Sequence, residues 1–440
     1  MFTRVPRRVA PILAAGVVAV AAAGVWLGSG SASAGSLSGT LYRDPDSNVV
    51  RWVAANGGDS RAAVIRTNIA SQPQARWFAN FNLSTAQQEA ASFVGAANAA
   101  NQVPVMSIYQ ITNRDCGGAS AGGAPDLNQY QTWVGNFSRG LGNRVVVVIL
   151  ETDSIALQTC LDQQALAARN AALSQAVRTI KAANANAKVY LDGGHSTWNS
   201  ASEQANRLRA AGIQYADGFY TNVSNYNPTN NEANYGRQII SALNGAGVSG
   251  KRQIIDTSRN GGAAGDWCGD DNTDRRIGRY PTLNTGDSNI DGYLWVKPPG
   301  EADGCAYQAG SFQPQLAYSL ANGVTPPDPT QSSSSSPNTQ PGACSATYRI
   351  DSQWNTGFGA TVTVQAGSSA ITGWTVRWTF ANGQTIGQIW NGADSPSGAS
   401  HAVRNVSHNG SLGGGASTTF GFNGTWSGAN SIPTLTCTSP

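Results

Sequence analysis

The sequence predicts two folded parts of different class, a distorted parallel α/β barrel (TIM-like) followed by an antiparallel β-sandwich. Three observations carry this. From residue 35 to 324, short apolar runs alternate with helix-like stretches, the order that builds a parallel sheet covered by helices. From 325 to 342 the chain reads TPPDPTQSSSSSPNTQPG, with no apolar period and too much Pro and Ser to form a core, so it reads as an extended tether. From 343 to 440 the helical stretches vanish, and runs such as ATVTVQAG and GWTVRWTF alternate apolar and polar residues as sandwich strands do.

Taken in order, residues 1–34 read as a secretory signal peptide. Arg4, Arg7 and Arg8 precede an apolar run that ends in the small-residue site Ala32-Ser33-Ala34, so the mature chain is expected to begin near Gly35. A single-pass anchor is the alternative, but the run is short for a span. The expected location is extracellular, with no membrane contact after cleavage. The strand candidates are 75–79, 103–111, 144–150, 188–191, 218–221, 252–256 and 292–296, and the helix candidates are 87–100, 161–183 and 200–211. A doubly wound open sheet would give much the same alternation.

Composition narrows the function classes. Only 12% of residues are charged and the net charge is +3, which argues against nucleic acid and for a neutral polar ligand. The 12 Trp suit either core positions or surfaces that stack on sugar rings. An even set of cysteines, Cys116, Cys160, Cys268, Cys305, Cys344 and Cys437, predicts disulfides in an exported chain. With no C-x-x-C and 3 His in the chain, neither a metal nor any other cofactor is expected, and a monomer is the default.

In a parallel barrel the active site lies at the C-terminal strand ends. Polar residues recur there: Asp115, then Glu151 and Asp153, Asp192, Asn222, Arg259, and finally Lys297, Glu301 and Asp303. With one His in this part, cysteines expected to be paired and no G-x-S-x-G elbow, carboxylates are the available acids and bases. Two carboxylates flanking a glycosidic bond are what sugar hydrolysis needs, and one must stay protonated. Asp153, with Asp115 and Glu151 expected beside it on the rim, is placed for that role.

The stretches YQITNRDCGG, VVVVILETDS, KVYLDGGHSTW, YTNVSNYN, IDTSRNG, GDWCG and LWVKPPGEADG, in this order, resemble glycoside hydrolase family 6, the inverting cellulases. The resemblance implies Asp153 as general acid, Asp115 as the neighbour that raises its pKa and helps to activate water, and Asp303 at the position proposed as base. It implies Tyr109 beneath the reacting sugar. Trp77, Trp198 and Trp267 match aromatic platforms, and His195, Asn222, Lys297 and Glu301 match hydrogen-bonding residues of the cleft. Asp192 matches a cleft carboxylate with a role in binding and local electrostatics. Trp52, Trp133 and Trp295 read as packing residues. The resemblance also implies the pairs Cys116–Cys160 and Cys268–Cys305. The chain departs from the family where Thr112 and Thr152 replace Pro, and where the loop serine falls on Ala121 with Ser120 beside it.

The stretch ACSATYRIDSQWNTGFGATVTVQ, with GWTVRWTF, IWNGADSP, VSHNG and FGFNGTWSG after it, resembles carbohydrate-binding module family 2. This implies a cellulose-binding face on Trp354 and Trp390, with His408 where a third Trp is usual, and Cys344 and Cys437 at the two ends of the sandwich. The expected partners are cellulose and soluble β-1,4-glucans. In the glycoside hydrolase family that residues 36–324 resemble, end-acting members carry long loops that roof the cleft; by that resemblance the short stretch between Arg259 and Trp267 implies an open cleft and internal cleavage. The alternatives are an end-acting cellobiohydrolase and a catalytically weak cellulose-binding protein.

Overall fold

The structure is a computed structural model that describes Met1 and residues 35–265, 267–270, 274–324, 344–354, 356–367, 369–427 and 430–439. The expected leader beyond Met1 and the tether at 325–342 lie outside the described residues. The chain divides into two compact units, Met1–Pro326 and Pro327–Pro440.

In the first unit seven strands, β1 (Arg76–Phe78), β2 (Val105–Ile108), β3 (Val147–Leu150), β4 (Lys188–Asp192), β5 (Gly218–Thr221), β6 (Arg252–Asp256) and β7 (Ile290–Leu294), lie in one sheet in chain order. Every neighbouring pair is parallel. A doubly wound sheet reverses direction at a switch point, whereas this order never reverses, so the sheet is barrel-like. Among the described residues no ladder joins β7 to β1; Ala75 N donates to Trp295 O (2.9 Å) and Trp77 Nε1 to Val296 O (2.7 Å) across that seam.

Alternation along β3 shows why its sequence is a continuous apolar run. Val147 and Ile149 join a cluster with Val105, Tyr190, Tyr220 and Ile254, while Val148 and Leu150 join the helix-facing cluster with Phe93, Trp133 and Leu173. Both faces are buried, as parallel strands require. The expected helices appear at Ala86–Ala99, Gln163–Ala183 and Ala201–Ala210, the last two capped by the Asp162 and Ser200 side chains. Helices at Leu127–Ser138 and Thr229–Gly245 were not expected. The second carries Gly236, where a Cβ would lie 1.9 Å from Gln253 Oε1, so glycine is what lets this helix approach β6. Trp133 and Trp295 are buried, and Trp52 packs against Phe312 at 5.9 Å, all in packing positions. No described helix is long and apolar enough to cross a membrane.

The second unit is a sandwich of two four-stranded sheets. One holds β8 (Cys344–Trp354), β9 (Gly357–Ala366), β14 (Ser417–Thr425) and β11 (Thr385–Trp390); the other holds β10 (Thr375–Thr379), β12 (Ala393–Asp394), β13 (Ser400–Arg404) and β15 (Thr436–Thr438). Phe358, Val362, Trp374, Trp378, Phe420 and Phe422 fill the space between them. Cys344 and Cys437 are bonded, joining the first strand to the last.

Candidate active site

The chain turns sharply where the strands of the first unit end. Asp115, Cys116, Glu151, Asp153 and Asn222 all have positive φ, between 47° and 69°. Each such non-glycine residue costs on the order of 1–3 kcal/mol and persists where the surroundings overdetermine it. Of these, Asp115 and Asp153 face a cleft of about 950 Å³ over the strand ends, lined also by Tyr109, Asp303, Trp77, His195, Trp198, Trp267, Lys297 and Glu301. A neighbouring volume of about 770 Å³ shares Trp77, Asn80, Glu301 and Gln308 and runs on to Asn48 and Arg51, so the cleft continues as a groove.

Asp153 is half-buried on the cleft wall. Burial pushes its carboxyl well above the ordinary range, and the negative charges of Asp192, Asp115 and Asp303 push it further. Asp115 accepts hydrogen bonds from Ser120 N (2.8 Å) and Ser120 Oγ (3.1 Å). The same hydroxyl lies 2.9 Å from Tyr109 Oη. Because its one proton is directed at a carboxylate, Tyr109 donates to it. Ser120 therefore links Tyr109 to Asp115, while the neighbouring Ala121 lines the cleft without a polar group. Arg114 stacks 4.5 Å over the Tyr109 ring and donates to Tyr109 O and Ser120 O, pinning this loop.

Three polar residues of the strand ends lie elsewhere than the sequence reading put them. Glu151, expected on the rim, is fully buried and accepts from Gln110 N and Ile111 N, both at 2.8 Å. Burial outweighs those bonds and lifts its carboxyl to about 8. Asp192, expected in the cleft, is buried beneath the loop that carries Asp153. It accepts from Ile155 N (2.9 Å), Ala156 N (2.7 Å) and Gly194 N (2.9 Å), holding the turn that carries Asp153. Asn222, expected as a substrate contact, is likewise buried: it accepts from Asn227 N (3.0 Å) and donates to Asp256 O (3.0 Å), closing its own loop. Turning a side chain inward satisfies backbone N–H groups that a sharp turn leaves without partners.

Asp303 is buried against two cations. Arg259 Nη1 and Tyr226 Oη donate to its Oδ2 at 2.9 Å each, and Lys297 Nζ lies 3.5 Å from Oδ1. Burial alone would raise its carboxyl, but the Arg259 and Lys297 charges outweigh it and hold the group at about 2. Asp270, which sequence reasoning missed, builds this loop. Its carboxylate accepts from the backbone N–H groups of Asp303, Gly304, Cys305, Ala306 and Tyr307, between 2.7 and 3.4 Å. An acidic residue directly after GDWCG was the available signal.

The remaining cleft residues fall into place around these carboxylates. Trp77 meets Tyr109 edge-on at 5.4 Å, and Trp198 leans on His195 at 5.1 Å. Burial lowers His195 to about 4, so it is neutral at neutral pH and free to exchange hydrogen bonds. Asn48 Nδ2 donates to Glu301 Oε1 (2.7 Å), and Lys297 Nζ to Ala302 O (2.7 Å). Trp267 is 55% exposed on the rim. Cys116–Cys160 ties the Asp115 loop to the loop after β3, and Cys268–Cys305 ties the Trp267 loop to that of Asp303. Cys268, Asp270 and Cys305 form the one close group of metal-ligating residue types among the described residues, and their sulfurs are consumed in the disulfide.

In the second unit Trp354 and Trp390 are 52% and 43% exposed, whereas Trp374 and Trp378 are buried and Trp426 packs on the core. Each exposed indole lies over a glycine on the neighbouring strand. A Cβ on Gly357 would come within 2.3 Å of Trp354, and one on Gly421 within 2.6 Å of Trp390. Strand pairing through Gly357, Thr361, Gly421 and Thr425 puts both rings on the same outer face of the sheet. His408 is exposed on a loop tied to the Trp390 end by Asn409, whose Nδ2 donates to Asn391 O at 2.8 Å.

Comparison with known proteins agrees with this geometry. Residues 38–328 match the family model Glycosyl hydrolases family 6, and residues 344–439 match Cellulose binding domain. Endoglucanase A of Thermobispora bispora is 44% identical over 99% of both chains. Endoglucanase 1 of Streptomyces sp. (strain KSM-9) is 45% identical over 67% of this chain and 82% of its own. Among solved structures, the endoglucanase Cel6 from Mycobacterium tuberculosis in complex with methyl-cellobiosyl-4-deoxy-4-thio-β-D-cellobioside superposes with a TM-score of 0.59 at 34% identity, covering 64% of this chain and 97% of that one. The chain belongs to glycosyl hydrolase family 6, joined to a cellulose-binding domain.

Proposed function

We propose that this is a secreted, monomeric endo-β-1,4-glucanase that cleaves internal bonds of cellulose with inversion. Residues 35–324 catalyse, 325–342 tether, and 343–440 hold the enzyme on its substrate. The observation that carries the reading is Asp153: a half-buried carboxyl, kept protonated by burial and by three neighbouring carboxylates, in a cleft set with the indoles of Trp77, Trp198 and Trp267. Protonated, it delivers a proton to the glycosidic oxygen as the leaving sugar departs.

Water attacks the opposite face of the sugar. A carboxylate held at about 2 is a weak proton acceptor, so Asp303 is assigned the charge that steadies the forming oxocarbenium ion. The water's proton passes towards Asp115, whose carboxylate is oriented by Ser120. Tyr109, hydrogen-bonded to the same serine, sits beneath the reacting ring. Internal cleavage is supported by the groove, which runs past Trp77 to Arg51, and by the unroofed indole of Trp267.

The test is a time course on soluble substituted cellulose and on cellohexaose. A steep fall in viscosity per bond broken, with α as the first product anomer, is expected. Slow thinning with cellobiose as nearly the sole product would replace the endo reading with an end-acting one; a β anomer would overturn inversion, and no reducing-sugar release would overturn hydrolysis. The acid assignment has its own signature. Loss of Asp153's proton sets the alkaline limb of kcat/KM, and Asp115 is one of the charges that raises its pKa. Asp115→Asn therefore moves that limb to lower pH, read from a pH–rate profile.

A further inference from the structure

The end of the barrel opposite the cleft is closed by residues 35–41. Leu37 and Leu41 insert into the interior cluster with Val105, Val147 and Tyr190, and Thr40 and Tyr42 bond to Val103 beside the start of β2. Beneath this strap lies Asp291, on β7, with no exposed surface. Its carboxylate accepts from Ser36 N (2.5 Å), Ser36 Oγ (3.0 Å) and Tyr190 Oη (2.6 Å). Among the described residues its one side-chain ion pair is with Arg252 on β6, at 3.9 Å. Asp217, whose charge also acts on Tyr190, is already paired with Lys181 (2.5 Å) and Lys188 (3.3 Å). Gly35 is pressed onto the same carboxylate, since a Cβ there would meet both Asp291 Cα and Oδ1 at 3.0 Å.

We propose that Asp291 is a receptor for an α-ammonium group, that of Gly35, released when a leader is removed after Ala34. Cleavage hydrolyses the 34–35 peptide bond; the amide nitrogen leaves as an amine, takes up a proton and becomes a cation one residue from the nitrogen already bonded to Asp291. A fully buried carboxylate whose one ion pair among the described residues is the long contact to Arg252 gains from a second charge delivered at that point. The processed terminus thus completes the base of the barrel, on the face away from catalysis. The inference rests on the secretory reading of residues 1–34.

The experiment begins with the intact mass of the exported protein, which is expected to start at Gly35; a start elsewhere would overturn both the leader reading and the inference. The exported protein is then compared with one carrying Gln-Thr inserted before Gly35, in which an amide replaces the ammonium. The inserted form is expected to melt about 3–6 °C lower near pH 6, with unchanged kcat. The sign with pH is fixed. A carboxylate partner raises the folded pKa of an amine above its unfolded value of about 8, so the difference is full below that pH and fades as pH rises through the folded value. Asp291→Asn is expected to abolish it. Equal melting of the two forms, a gap unchanged up to pH 10, or a gap that persists in the Asn variant would overturn the proposal.

Discussion

Asp153→Asn lowers kcat on cellulose by about 10²–10⁴, the usual contribution of a positioned general acid. The amide keeps the shape of the side chain and cannot give up a proton at the moment the glycosidic oxygen leaves. The loss is therefore largest on unactivated glucan and small on an aryl cellobioside whose phenol leaves unaided. Stability separates this from a folding defect. A carboxyl whose folded pKa lies above its unfolded one destabilises the fold once pH exceeds the unfolded value. The Asn variant should accordingly melt at the same temperature as the parent or higher at pH 7. Near-parental turnover on cellulose would remove Asp153 from the mechanism.

Asp303→Ala has the opposite profile, losing stability as well as turnover. Deleting this carboxylate leaves Arg259 and Lys297 buried without their partner. Breaking such a pair costs about 3–5 kcal/mol, which corresponds to a melting point lower by roughly 10 °C in a domain of this size. The pH dependence follows from the sign of the shift. Its folded pKa of about 2 is below the ordinary 3.8, so its stabilisation is full above pH 4 and is lost as pH falls through 2. Equal melting of the two proteins at pH 7, or a gap between them that does not narrow as pH falls from 4 to 2, would refute the ion-pair account. Calorimetry from pH 2 to 7 on both proteins reads this out.

Much of this architecture is legible in the chain, and the misses share a cause. The run RVVVVIL announces β3 because both faces of that strand are buried, so no side is left to encode polarity. The helix at Thr229–Gly245 is hidden because Gly236 and several Asn have low helix propensity, and only packing against β6 rescues it. In the site, residue type at a strand end was readable, but side-chain direction was not. Glu151 and Asp192 stand in equivalent places, each directly after the paired Leu150 and Leu191, and both turn inward, whereas Asp153, two residues past Glu151, faces the cleft. That difference depends on a left-handed backbone at Asp153, which nothing in the letters ETDS encodes. Ser120 shows the same limit. Spacing put the functional serine one position later, and the turn through Cys116 brings residue 120 to Asp115.

The two glycines beneath Trp354 and Trp390 bear on what the second unit is able to hold. An indole resting on a bare backbone lies down because nothing props it up, and it has few orientations to lose when a ligand settles on it. A methyl group at either position would displace the ring that rests there while leaving every aromatic atom present. The seat of each exposed indole is thus set by a hydrogen on the neighbouring strand rather than by the ring itself.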